Sequence, residues 1–213
     1  MSVTKNIKKA LLIGINYRNT SAELYGCIND VHNVKNMLIN KLNYSKSNIT
    51  LLTDDTSIQP TRDNILAQIK NILTEAANNP ALKNIWIHYS GHGTYLKDKN
   101  GDEDDKNDEA LVPIDYKKNG YVIDDEIYCL LYLIPARCKV IFVMDSCYSG
   151  SVLDLPYQLN IKKKKKIKFK FTRRSNKKQK ELPANIIMIS GCRDNQTSAD
   201  AYGIGESGTW SGA

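Results

Sequence analysis

Five short strand-like runs, each cut off by polar residues or glycine, constrain the fold of this chain more than any other feature. They occupy residues 10–15 (ALLIGI), 48–52, 84–89, 139–144 (KVIFVM) and Asn185–Ser190 (NIIMIS). Short continuous apolar runs are expected of strands buried on both faces. Between them lie helical patterns. Residues 27–42 place Val31, Val34, Leu38 and Leu42 on one stripe, and residues 61–77 do the same with Ile65, Ile69, Ile72, Leu73 and Ala76. Strands alternating with helices predict an α/β domain, with an open, mostly parallel central sheet and helices on both faces.

Two further segments are expected between the third and fourth strands. Residues 97–108 are an acid-rich polar loop, and residues 110–114 and 121–123 suit a hairpin turned around Lys118-Asn119-Gly120. Asp124 or Asp125 is expected to cap a short helix running to Leu133. At 213 residues, one domain spans residues 1–213. The sequence stops at Ala213 without a closing helix, so a C-terminally truncated domain is expected.

Composition narrows the function classes. With 41% apolar and 25% charged residues the chain is an ordinary globular one. No apolar stretch approaches the ~20 residues of a membrane span, and no membrane partner is expected. The five cysteines are odd in number and scattered, with no CxxC pair, which argues against a disulfide framework or a zinc site and for a reducing compartment, the cytoplasm or the nucleus. The net charge of +7 is unevenly spread. Twelve Lys or Arg and no acid fall between Ile161 and Lys180, and removing those twelve charges leaves the rest of the chain at −5. Residues 160–183 are therefore expected to be a flexible, solvated basic linker.

Two residues carry chemistry. His92 and Cys147 each stand just past the carboxyl end of an apolar strand, where open parallel sheets bind ligands. Each is followed by small residues, Gly93 in one case and Ser149-Gly150 in the other. A thiol is mostly protonated at neutral pH, with a pKa near ~8.5, so it needs a neighbouring imidazole to take its proton. The thiolate attacks a peptide carbonyl, the imidazole protonates the leaving amine, and an acyl-enzyme forms. The backbone N–H groups of Gly93 and Cys147 are the candidate donors for the developing oxyanion. Cys129, Cys138 and Cys192 are expected to be small buried hydrophobes, and His32 and His88 structural or surface histidines.

Tyr89-Ser90-Gly91-His92-Gly93 and Asp145-Ser146-Cys147, with His92 and Cys147 55 positions apart, resemble the caspase-fold cysteine peptidases. GINY at Gly14, GCINDV at Gly26, DEALVPID at Asp108, DLPY at Asp154 and SGCRDNQTSADA at Ser190 make the chain similar to the metacaspases, in the type I arrangement. The resemblance implies a caspase-like three-layer sandwich and cleavage of protein or peptide substrates after Arg or Lys. It implies a specificity pocket of Cys27, Asp30, Ser90 and Asp145, in which two carboxylates would pair with a basic side chain. It also implies activation by Ca2+ at Asp108, Asp124, Asp125 and Asp154, whose oxygens are the hard ligands calcium takes. From the residues alone, Asp124 and Asp125 are more simply helix-capping acids. The chain departs from the family in having Tyr148 after Cys147, where the family has His.

An enzyme preferring basic residues could process itself within the lysine run. A catalytically inactive caspase-like scaffold is the rival from another class; a binder of phosphates through the lysines is a second, with no sequence-specific nucleic acid expected. A monomer is favoured.

Overall fold

The structure is a computed structural model that describes residues 6–97, 107–146, 153, 155–163, 167–173, 182–191, 200–202 and 209–211. Its centre is a five-stranded sheet of β1 (Ile7–Gly14), β2 (Ile49–Thr53), β3 (Leu82–Ser90), β7 (Lys139–Asp145) and β10 (Asn185–Ser190), in the order β10-β7-β3-β1-β2. Every pairing in it is parallel. These are the five runs expected from the sequence.

Helices cover both faces, as the strand composition requires. On one side α1 (Cys27–Asn40) buries Val31 and Leu38 against Ala10, Leu12 and Tyr44, with Trp86 alongside. On the other, α2 (Arg62–Asn78) and α4 (Asp124–Leu131) bury Ile65, Ile69, Leu73, Ile127 and Leu131 against Leu11, Ile13, Ile87, Tyr89 and Phe142. Arg62 also bridges the two helices through Glu126 at 2.5 Å. A partly exposed ion pair contributes at most about 1 kcal/mol. Each fully buried Leu or Ile contributes about 2 kcal/mol. The apolar layer, not the ion pair, holds α2 and α4 in place.

Caps set where the helices begin. Thr61 accepts the Asn64 N–H at 3.3 Å and starts α2. Gly26 has no side chain to do this for α1; the Asn16 side-chain oxygen, from the loop after β1, accepts the Ile28 N–H at 3.1 Å instead. The loop is thereby fastened to the helix it precedes.

Several local expectations need correction. The chain after His92 is a strand, β4 (Gly93–Lys97), which pairs antiparallel with β5 (Asn107–Leu111). The polar composition of this stretch hid the pairing. The hairpin pairing is present, Ala110 with Ile123 and Leu111 with Val122 in β6 (Val122–Ile123), but a short helix, α3 (Tyr116–Asn119), fills the connection. α4 begins at Asp124 itself and ends at Leu131, two residues before Leu133.

The basic segment contains two backbone strands, β8 (Tyr157–Lys163) and β9 (Ile167–Arg173), paired antiparallel with Leu159 opposite Phe171 and Ile161 opposite Phe169. Lysine count pointed to an unstructured linker; the alternation Ile-Lys-Phe-Lys-Phe is the period-two signal that count obscured. β11 (Asp200–Tyr202) and β12 (Thr209–Ser211) form another antiparallel pair. On β10 the face shared with α1 is open, with Ile187 53% and Ile189 54% exposed, so this apolar run is buried on one side only.

His88 lies in the middle of the central strand, between Leu12 and Val143. Among the described residues neither of its ring nitrogens has a hydrogen-bond partner. Burial lowers its pKa from 6.5 to about 4. The folded chain thus refuses a proton that the unfolded chain takes up below about pH 6.5. The associated stability is complete above that pH and is lost as pH falls toward 4. Between pH 7.5 and pH 5 this amounts to about 2 kcal/mol. Urea unfolding at the two pH values checks it: the wild-type loss should exceed that of His88→Leu by about this much.

Candidate active site

The carboxyl ends of β1, β3 and β7 lie side by side, Gly14 opposite Ser90 and Ser90 opposite Asp145. The pairing continues one step further, as Ile15 N–H donates to the Ser90 carbonyl at 3.0 Å and Gly91 N–H to the Asp145 carbonyl at 3.3 Å. His92 therefore leaves β3 over the end of β7, where Ser146 is buried. Cys147, the expected nucleophile and oxyanion donor, lies outside the described residues, as do Tyr148, Asp154, Cys192 and the acidic stretch 98–106.

His92 is held from several sides. Its Nε2 lies 2.8 Å from the Ala22 carbonyl. A carbonyl oxygen only accepts, so Nε2 carries the hydrogen and Nδ1 of the neutral ring is left with its lone pair, as a general base requires. The ring packs on Tyr17, with centroids 4.8 Å apart and planes tilted by 39°. Behind it, His92 N–H donates to the Tyr17 hydroxyl at 3.0 Å and the Tyr89 hydroxyl donates to the His92 carbonyl at 2.7 Å. Gly93 follows directly and opens β4 opposite Leu111. Both tyrosines lie in motifs that carry the family likeness, GINY and Tyr89-Ser90-Gly91-His92-Gly93, but neither was given a role, and Ala22 did not stand out. A backbone carbonyl leaves no signature, while a polar-tipped aromatic at the end of an apolar strand is a readable hint for Tyr89.

The expected specificity residues come together. Cys27 and Asp30 lie three positions apart on the first turn of α1, and both are buried. The Ser90 hydroxyl donates to Asp30 Oδ2 at 3.0 Å. Asp145 is the register partner of Ser90 on the next strand. Two carboxyl-bearing positions thus flank Ser90, two residues before His92.

The expected calcium residues are partly described. Asp124 is buried; its Oδ2 accepts the Glu109 N–H at 3.1 Å and its Oδ1 the Asp125 N–H at 2.9 Å. The first of these contacts brings the β5 backbone at Asp108 beside α4, although the Asp108 side chain is outside the description. Among the described residues no group of three or more acidic, histidine or cysteine side chains is placed to hold a metal ion. The N-cap of α4 is Ile123, not Asp124 or Asp125 as expected; Asp124, the first helical residue, bonds within the first turn and ties the helix to β5.

Of the other thiols, Cys138 is buried, with Sγ 3.2 Å from the Leu82 carbonyl, and burial raises its pKa. Cys129 is exposed on α4, contrary to expectation, because it lies on the helix face turned away from Ile127 and Leu131. No helix among the described residues is long and apolar enough to cross a membrane.

A parallel α/β sheet with helices on both faces and a tautomer-fixed histidine over its carboxyl edge is the frame of a caspase-like domain. The description of the metacaspase, peptidase C14 domain matches residues 8–156, well over half of the chain. The chain is 37% identical to Metacaspase-1 of Eremothecium gossypii, over 97% of this chain and 55% of that protein. It is 38% identical to Metacaspase-1 of Candida albicans, over 97% of this chain and 56% of that one. A solved protein of Geobacter sulfurreducens, GSU0716, superposes with a TM-score of 0.62 at 25% identity, over 92% of this chain and 76% of that chain. The chain belongs to the metacaspase family. It spans about half the length of the curated relatives it matches.

Proposed function

We propose that this chain is a cysteine endopeptidase that cleaves proteins after Arg or Lys, with Cys147 as nucleophile and His92 as general base. His92 takes the thiol proton at Nδ1, the thiolate adds to the scissile carbonyl, and the imidazolium returns the proton to the leaving amine. Water then releases the acyl group from sulfur. Backbone N–H groups at Gly93 and Cys147 receive the oxyanion in each half-reaction. The single observation that carries the preference for basic residues is the buried Asp30 carboxylate bonded to Ser90 at 3.0 Å, beside Asp145 and two residues from His92. An acidic pair, with Asp30 buried and Asp145 half-buried, favours a guanidinium or ammonium and repels an Asp side chain.

Calcium activates the enzyme through Asp108, Asp124, Asp125 and Asp154, where it would supply charge to order the chain around α4 rather than take part in bond cleavage. The enzyme also cuts itself between residues 160 and 183, where basic residues are densest. The odd number and scatter of the cysteines fit a reducing compartment, and the enzyme works in the cytoplasm or the nucleus. It acts as a monomer.

One assay tests these points together. Peptides ending in Arg, Lys or Asp are hydrolysed with calcium or with a chelator, and the protein is then weighed by intact mass. We expect Arg and Lys peptides to be cleaved, calcium to raise the rate, and new termini to appear in the basic segment of wild type but not of Cys147→Ala. Cleavage after Asp would overturn the pocket assignment. Indifference to calcium would remove the metal site, and identical termini in Cys147→Ala would rule out self-processing.

A further inference from the structure

Two buried phenols bracket the peptide group of His92, and their shortest contacts point to one arrangement of hydrogens. Tyr17 and Tyr89 are each 1% exposed, with hydroxyls 3.2 Å apart. The Tyr17 hydroxyl donates to the Val112 carbonyl at 2.6 Å and accepts the His92 N–H at 3.0 Å. The Tyr89 hydroxyl donates to the His92 carbonyl at 2.7 Å and accepts the Val112 N–H at 3.3 Å. In the arrangement set by the shortest contacts each hydroxyl donates once and accepts once, with the Val112 carbonyl at 3.2 Å a second acceptor near the Tyr89 hydroxyl, and the pair joins residue 92 to residue 112 of the neighbouring chain segment. Burial raises the pKa of both phenols, so both keep the proton this arrangement needs.

Three features hold the phenols there. Tyr17 has φ +50, a left-handed conformation unusual for an aromatic residue. Asp54 fixes it by accepting the N–H groups on either side, that of Asn16 at 2.9 Å and that of Arg18 at 3.2 Å. A Cβ at Gly91 would lie 2.8 Å from the Tyr89 hydroxyl and 3.0 Å from that of Tyr17. The glycine before His92 is thus the space into which both hydroxyls project. The same loop that carries Tyr17 carries the Ala22 carbonyl, and it is closed by Leu24 N–H on the Asn16 carbonyl at 2.8 Å and by the Thr20 hydroxyl on the Tyr17 carbonyl at 2.7 Å.

We infer that Tyr17, braced by Tyr89, is a positioning residue: its hydroxyl holds the His92 backbone so that Nε2–H meets the Ala22 carbonyl and Nδ1 keeps its lone pair for the incoming proton. This rests on the reading of His92 as the general base. Both the backbone of residue 92 and the carbonyl that fixes its tautomer hang on the Tyr17 segment, so loss of one hydroxyl loosens the ring without removing it. Tyr17→Phe keeps the ring that packs on His92 and removes only the hydrogen bonds.

The test compares wild type, Tyr17→Phe and His92→Ala in the full chain, on an Arg-terminated peptide and by NMR of 15N-labelled histidine. The chain has three histidines, so the His92 signals are assigned by their loss in His92→Ala. For Tyr17→Phe we expect kcat to fall about tenfold to a hundredfold with KM within about twofold, because a small misplacement of the base costs rate rather than binding. We also expect the Nε2–H signature of His92 to give way to a mixture of tautomers. If His92→Ala is inactive while Tyr17→Phe keeps both its kcat and its Nε2–H signature, the inference is overturned and the base reading stands. If His92→Ala retains wild-type activity, the base reading falls and takes the inference with it. Should Tyr17→Phe fail to fold, Tyr89→Phe, which removes only the hydroxyl on the His92 carbonyl, is measured the same way and judged by the same two outcomes.

Discussion

Replacing His92 by alanine should lower kcat/KM on an Arg-terminated peptide by about a thousandfold to ten-thousandfold while leaving the fold intact. The size follows from the chemistry. Without a base the thiol stays largely protonated, and without an acid the amine must leave as an anion. The tolerance follows from the surroundings. The imidazole is half-buried, bonded to one backbone carbonyl and packed on one ring, and none of the core side chains depends on it. Thermal unfolding should therefore be close to that of wild type, whereas Cys147→Ala should match His92→Ala in rate. Activity within tenfold of wild type would show that another group takes the thiol proton.

The second large effect is structural. A Cβ at Gly14 would lie 2.5 Å from Val31 Cγ2 and 2.7 Å from the Cys27 carbonyl oxygen. The second contact is with backbone and cannot be relieved by a rotamer change, so Gly14→Ala must push α1 off the end of β1. Overpacking of this kind costs about 3 kcal/mol. For a domain of this size the melting temperature should fall by about 6 to 12 °C. The displacement also moves Cys27 and Asp30, the residues of α1 that face the site. Selectivity for Arg over uncharged residues should thus weaken even at temperatures where the variant is folded. A melting temperature equal to wild type would mean that α1 docks less closely than these distances require.

The two effects separate what sequence makes visible from what it does not. All five parallel strands and both long helices follow from apolar runs and helical spacing: burial on two faces leaves a continuous hydrophobic signature, and β10 carries the same run although only one of its faces is covered. His92 was legible because its strand ends in small residues and an ionisable group, a combination packing does not call for. The pairing of Ser90 with Asp30 was legible only through family likeness. Sixty positions separate them in the chain, and no local pattern reports such a contact.

Other features left weaker traces. β4 was hidden by polar composition, since a small three-stranded sheet beside the site needs few apolar residues. β8 and β9 were hidden by charge, although alternation was present. The Tyr17 and Ala22 contacts depend on a loop held by Asn16 and Asp54, whose roles come from backbone N–H groups they happen to reach. Side chains that serve distant backbone carry no periodic signal.

The central claim is that a single thiol, Cys147, is activated beside an acidic pocket. It is tested most directly by labelling with a peptide chloromethyl ketone ending in Arg and mapping the adduct by peptide mass. The thiolate displaces chloride and keeps the peptide as a stable thioether, so the label records which of the five cysteines is nucleophilic and oriented by a bound basic residue. The account predicts one adduct, on Cys147, lost in His92→Ala and not formed by the corresponding Asp-terminated reagent. Labelling of the exposed Cys129 in its place, or equal labelling by both reagents, would contradict it.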